Sequence, residues 1–497
     1  MSTWPRHPFI YEINTFAWLQ ELSKRTGSTV TLGTVPACEW DALAARGFDA
    51  VWLMGVWERS PAGVAIATRN PNLVGEFERC LPDYSAADLV GSAYCVRRYV
   101  VDERLGGAEG LAQARTRLAE RGVRLILDFV PNHVAPDHPW VGEHPDFFIH
   151  ADYRTAHTFP DAFRVVHGMA LACGKDPYCP PWTDVLQLNA FKPGLRLAVR
   201  DTLLAIASQC DGVRCDMAML VVNAIFARTW GERVGPAPAT EYWRDLIAST
   251  KAAFPGFLFM AECYWDLEWE LQQQGFDFCY DKRFYDRLEH ESPESVRLHL
   301  GADMAYQGKL LRFIENHDEP RAAATFVPAR HRAAAVLTLS LPGARLLHEG
   351  QLEGRRVKMP VFLGRRPDEP VDFEMAGFYQ ELLAALHANV FREGEWRLSE
   401  CWGWLDNLTC RNIVACSWTH GTERRLIVVN LGGEQAQARV EVPWDDLRGG
   451  VWRLVDRPSG QSYERDGFDM RESGLYVDLP PHGAHIFEIQ PAWVHAG

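Results

Sequence analysis

The chain has 497 residues, 47% hydrophobic and 23% charged, a globular composition long enough for two or three domains and unlike that of a disordered segment. Its 65 Asp and Glu outnumber its 51 Lys and Arg, and a formal net charge of -14 without any basic run argues against a nucleic-acid partner. No apolar run reaches the roughly 18 residues of a membrane span, and the opening MSTWPRHPFIYEIN lacks the features of a secretory signal, so a cytoplasmic location and no membrane partner are expected.

In chain order, short β-rich apolar runs alternate with helix-period segments, the pattern of parallel strands joined by crossover helices. Strands are predicted at 9–14, 50–57, 124–132, 212–217, 257–264, 276–280, 310–317 and 344–348. Helices are predicted at 108–121, 194–208, 240–253, 328–341 and 373–390, with Gly122 and Gly343 suited to left-handed positions after two of them. Eight such repeats over 1–396 predict an α/β chain folded as a (β/α)8 TIM barrel. Residues 134–188 break the rhythm, with much Pro, Asp, His and aromatic character, and read as a small subdomain inserted after the third strand. From 397 to 497, short alternating runs such as 412–418 and 424–430, separated by His420-Gly421, predict a C-terminal antiparallel β-sandwich. The 12 cysteines are scattered without the close pairs of a zinc site, which points to free buried thiols.

Four polar clusters fall at the carboxyl ends of predicted strands: Asp128-Phe-Val-Pro-Asn-His133, Gly212-Val-Arg-Cys-Asp216, Ala261-Glu-Cys263 and Glu315-Asn-His-Asp318. In a TIM barrel those ends share one face, so carboxylates far apart in sequence become neighbours. A retaining glycosidase needs one ionised carboxylate to attack the sugar carbon and one protonated carboxyl to release the leaving oxygen. Asp216 and Glu262 suit these parts. Arg214, two residues before Asp216 on the same strand, shares its face and holds it ionised, while Glu262 between Ala261 and Cys263 has a drier setting that favours a proton.

These runs resemble the four signature regions of the α-amylase family, glycoside hydrolase family 13, in family order on the third, fourth, fifth and seventh strands. The resemblance implies Asp216 as nucleophile, Glu262 as general acid/base and Asp318 as the carboxylate that orients sugar hydroxyls. It places the family's arginine on Arg214, its sugar-contacting histidines on His133 and His317, and the aromatic platform under the sugar on Tyr94. Trp182 and Trp265 are further stacking candidates. Asn132 matches a position that ligates a structural calcium in many members. One Asn is no hard-cation site, so no metal is assigned and calcium stays an open alternative.

The sequence also departs from the family. The Lys-His pair that often follows the nucleophile is replaced by Met217-Ala-Met-Leu-Val-Val, which removes a grip on leaving-side glucose units. Arg321, in Asn316-His-Asp-Glu-Pro-Arg321, resembles the α-glucosidase branch, where it pairs with an Asp that this chain replaces within Gly91-Ser-Ala-Tyr94. Arg355, Arg356 and Lys358 either reach a charged acceptor or form a solvated loop.

The function expected is retaining hydrolysis of α-linked glucosides, with intracellular malto-oligosaccharides as substrate. Transfer of the same covalent intermediate to another sugar is the alternative, and a non-catalytic binding subunit a remote one. No nucleotide, redox or phosphate-cradling motif appears, so no cofactor is required.

Overall fold

The computed structural model describes residues 4–492. Eight parallel strands close into a barrel in chain order: β1 (Phe9–Asn14), β2 (Ala50–Met54), β3 (Arg124–Phe129), β4 (Gly212–Cys215), β5 (Leu258–Ala261), β6 (Phe278–Tyr280), β7 (Leu310–Arg312) and β8 (Ala344–His348). Apart from half-buried Arg124 in β3, every residue of these strands is buried. That is why they read as continuous apolar runs rather than alternating ones: a parallel strand has no solvent face. The fold is therefore the predicted TIM barrel.

Several strands are shorter than predicted. β3 stops at Phe129, β5 at Ala261 and β7 at Arg312, so the polar clusters occupy the turns beyond the ladder. After β7 the Asn316 side-chain oxygen accepts from the backbone N–H groups of Asp318 and Glu319, both at 2.9 Å, a local turn that competes with continued strand pairing. The crossover helices include Gly107–Ala119, Pro193–Ala207, Tyr242–Ala253 and Pro328–Leu339. The helix predicted at 373–390 ends at Leu386, where Arg392 donates to the terminal carbonyls of Leu386 and His387, and a separate turn spans Val390–Glu393.

The chain divides into two compact units, one holding Tyr11–Tyr280 and Val357–Asp368, the other the remaining segments. Within the first, the insertion after β3 is an antiparallel sheet ordered His133–Val134, Trp182–Gln187, Met169–Gly174, His150–Ala151, with Phe163–Val166 also on Met169–Gly174. Within the second, a six-stranded antiparallel sheet with Glu395–Ser399 and Ser462–Asp466 at its edges and a three-stranded one (Cys401–Trp402, Ala436–Val440, Leu475–Leu479) share a core that includes Ile413, Leu426, Val428, Ala438, Val440 and Phe487. This is the expected sandwich. The strands Ile413–His420 and Glu423–Asn430 join through a two-residue turn in which Gly421 supplies φ +58°. Among the described residues no helix is long and apolar enough to cross a membrane.

Candidate active site

The tip of β4 is tied to both neighbours, since Asp216 N–H donates to Phe129 O at 2.8 Å and Glu262 N–H to Cys215 O at 3.0 Å. Asp216 and Glu262 each stand one residue past a strand, 5% and 3% exposed. Between them lies Arg214, wholly buried. Its Nη1 donates to Asp216 Oδ1 at 2.7 Å, and its Nη2 forms a 2.7 Å charge pair with Glu262 Oε2. Burial alone would weaken the guanidinium's hold on its proton, but Glu262, Tyr94, Tyr280 and Asp216 outweigh it and keep the group charged well above the usual arginine range. Aromatic faces complete the enclosure, with the guanidinium carbon 5.0 Å from the Tyr94 ring centre, 5.4 Å from Trp52 and 5.7 Å from Tyr280.

Glu262 is thus dry, as expected, but also held by two hydrogen-bond donors and the Arg214 charge. Besides Arg214, Met217 N–H donates to Oε2 at 2.6 Å and the Tyr264 hydroxyl to Oε1 at 2.8 Å. Met217 adopts a left-handed conformation, φ +42°, a costly choice for a side-chain-bearing residue that aims its N–H at Glu262.

The insertion brings His133 and Trp182 together, ring centres 5.3 Å apart. Burial pushes the His133 pKa down to about 4, against a backbone contact with Tyr94 that works the other way, so the imidazole is neutral near pH 7. Asn132 Oδ1 accepts from Gln187 Nε2 at 2.9 Å, and Asn132 Nδ2 donates back to Gln187 Oε1 at 3.2 Å. The described residues hold no group of three or more His, Cys, Asp or Glu arranged for a metal. Asp128, quoted in the first motif, knits strands together: its carboxylate accepts from Trp52 Nε1 at 3.1 Å and Gly55 N–H at 2.7 Å. Trp265 meets Tyr178 edge to face, centres 4.9 Å apart.

In the other compact unit, His317 Nε2 lies 2.9 Å from Asp318 Oδ2, with the histidine side chain 3% exposed and the aspartate 40%. Arg321 is buried on Glu315 Oε1 at 2.5 Å, His348 Nδ1 at 2.8 Å and Glu349 O at 2.8 Å. Glu315 Oε2 also accepts Ala322 N–H at 2.8 Å. The sequence reading therefore missed Glu315 as the visible carboxylate partner of Arg321. The signal was its place in the same motif, six residues upstream. Arg356 donates to Ala323 O, so that side chain ties the loop after β8 to the short helix Ala322–Thr325 that follows β7.

No protein-family model matches the chain. In sequence it is 24% identical over 473 residues to the α-amylase MalA of Haloarcula japonica, covering 90% of this chain and 59% of that protein. It is 26% identical over 261 residues to an α-1,4-glucan:maltose-1-phosphate maltosyltransferase of Bifidobacterium longum, covering 50% of this chain and 29% of that one. The chain thus spans less than two thirds of the length of either. The crystal structure of a maltogenic α-amylase, AmyB, from Thermotoga neapolitana matches 98% of this chain and 99% of its own with TM-score 0.69 at 18% identity, a likeness of fold. Similarity to an α-amylase along nine tenths of the sequence, together with an amylase fold, supports the resemblance to the α-amylase family that the four motifs carry.

Proposed function

We propose that the chain is a retaining glycosidase of α-linked glucosides, with Asp216 as nucleophile, Glu262 as general acid/base and Asp318 orienting sugar hydroxyls and stabilising the transition state. The observation that carries this reading is the buried Arg214 guanidinium reaching Asp216 with one terminal nitrogen and Glu262 with the other, 2.7 Å each. Carboxyls gripped by one guanidinium suit the short spacing of retaining enzymes, about 5 to 5.5 Å, better than the roughly 6.5 to 9.5 Å that leaves room for an inverting water.

Asp216 attacks the anomeric carbon while the bond to the leaving oxygen breaks and Glu262 protonates that oxygen. Glu262, now a carboxylate, takes a proton from water, whose oxygen displaces Asp216. Neutral His133 offers a hydrogen bond to a sugar hydroxyl without adding charge beside the developing oxocarbenium ion. His317 steadies Asp318. Malto-oligosaccharides are the proposed substrates, supported by the glucan-acting relatives. A cytoplasmic location is proposed because the 12 cysteines are thiols rather than disulfides, nine of them buried. No metal or cofactor enters the scheme.

Glycosyl transfer is the second reading. It is favoured by the maltosyltransferase relative and by the buried Ala218, Met219 and Leu220 after the nucleophile, which offer water no polar anchor.

The test is time-resolved product analysis on α-linked disaccharides, maltodextrins and starch. New reducing ends and small sugars are expected. Redistribution of chain lengths without new reducing ends would make the protein a transferase, and no turnover on any α-glucoside would sink the reading. Asp216→Asn and Asp318→Asn should each lose at least about 1,000-fold in turnover, since a neutral amide cannot stabilise the cationic transition state. Glu262→Gln should fail on maltodextrins yet recover in part on α-glucosyl fluoride, whose leaving group needs little protonation.

A further inference from the structure

The two oxygens of Glu262 are not equivalent. Oε2 accepts Met217 N–H and pairs with Arg214 Nη2, whereas Oε1 accepts the hydroxyl of Tyr264, at 2.8 Å. A proton on Oε2 would face the Met217 N–H and the Arg214 cation, so the acid O–H belongs on Oε1. The chain after Tyr264 turns sharply: Trp265 and Asp266 both take left-handed conformations, φ +64° and +61°, which are unfavourable for residues with side chains. The bend carries the Trp265 ring to Tyr178 and leaves the half-buried Tyr264 ring beside the carboxyl.

We propose that Tyr264 is the positioning residue of the acid/base: by donating to Oε1 it fixes the carboxyl's orientation and sets how readily that oxygen gives up and regains its proton. The inference rests on the reading of Glu262 above. In the first step the proton on Oε1 passes to the leaving oxygen, which keeps the electron pair of the broken C–O bond, and the Tyr264 hydroxyl stabilises the carboxylate that forms. In the second step Oε1 takes its proton back from the incoming water, whose oxygen bonds to the anomeric carbon as Asp216 departs. Within this compact unit the charged and titratable groups facing Glu262 are Arg214 of β4, Asp216 after it, Tyr280 of β6, and Cys263 and Tyr264 on its own segment. Burial holds the Cys263 thiol and the Tyr280 phenol neutral, and Arg214 stays charged. The basic limb of kcat/KM therefore reports Glu262.

Tyr264→Phe removes one hydroxyl and keeps the ring. The expected result on maltodextrins is a basic limb moved up by about one pH unit, because the carboxylate loses a donor, with kcat down about 10- to 100-fold. On α-glucosyl fluoride kcat/KM should stay near that of the unmodified protein. Replacement of Tyr264 by 3-fluorotyrosine, a stronger donor of the same shape, should move the limb down. Equal losses on both substrates with the limb fixed would mean that Tyr264 only packs, and would overturn the proposal. If Glu262→Gln fails to discriminate between the two substrates, the acid/base reading itself falls. If Glu262→Gln discriminates and neither change at Tyr264 moves the limb, only this inference falls.

Discussion

Arg214 shows how a side chain acquires its role from burial. An arginine with no exposed surface is costly unless its charge is matched, and here two carboxylates and three aromatic faces match it. Removing the guanidinium would leave Asp216 and Glu262 buried against each other. Arg214→Met is therefore expected to destabilise the fold by about 3 to 5 kcal/mol, measured by denaturant unfolding. Arg214→Lys retains the charge but not the fork that reaches both carboxyls. It should fold with a smaller loss and still lose at least about 100-fold in kcat/KM; near-normal turnover would show that bridging is unnecessary. Much of this site was legible in the sequence, because Arg214 and Asp216 share a strand face and Glu262 follows a strand on its own. The pairings of Tyr264 with Glu262 and of Glu315 with Arg321 were not, since they depend on how the chain turns after the strand, at Trp265 and Asn316.

At the scale of elements, periodicity located the barrel strands because each is a buried run bracketed by polar residues. It overran their ends because a polar cluster after a strand looks the same whether the ladder continues or not. The insertion after β3 was harder to read. Its strands run from two to six residues, and His133–Val134 pairs with Trp182–Gln187 across a long interval, so no local period announces the sheet. Two glycines separate local conformation from packing. Gly343, φ +85°, precedes β8, and a Cβ there would stand 2.2 Å from Leu310 O. Gly421, φ +58°, lies in an open hairpin with nothing within 4 Å of such an atom. Gly421→Ala should cost about 1 kcal/mol from backbone conformation alone. Gly343→Ala adds a clash with backbone that cannot rotate away, and should cost at least about 3 kcal/mol by the same unfolding measurement. Equal costs would mean that the β7–β8 junction relaxes freely.

For the molecule as a whole, both compact units bury neutral histidines, and this sets how stability responds to acid. His133 and His138 in one unit and His331 in the other are each pushed from 6.5 to about 4, with burial the main cause, and His7 goes further, to about 2. A histidine whose folded pKa is depressed binds its proton more readily when unfolded. Between pH 6.5 and 4 the unfolded chain therefore takes up more protons than the folded one, and stability falls as the pH drops through that window. Each histidine moved from 6.5 to about 4 contributes up to about 3 kcal/mol of this loss. The carboxylates held low by hydrogen bonds and cations, such as Asp88 at about 2, add their share only below about pH 4, where unfolded aspartates begin to protonate. The melting temperature should accordingly decline from pH 7 to pH 4.5, before carboxylate titration dominates. His138→Gln, which removes one titrating ring while keeping a polar side chain near Trp140, should flatten that decline relative to the unmodified protein even if it lowers stability at pH 7. A decline of unchanged slope in the variant would mean that His138 is protonated at no cost in the folded state, and that the acid sensitivity comes from other groups.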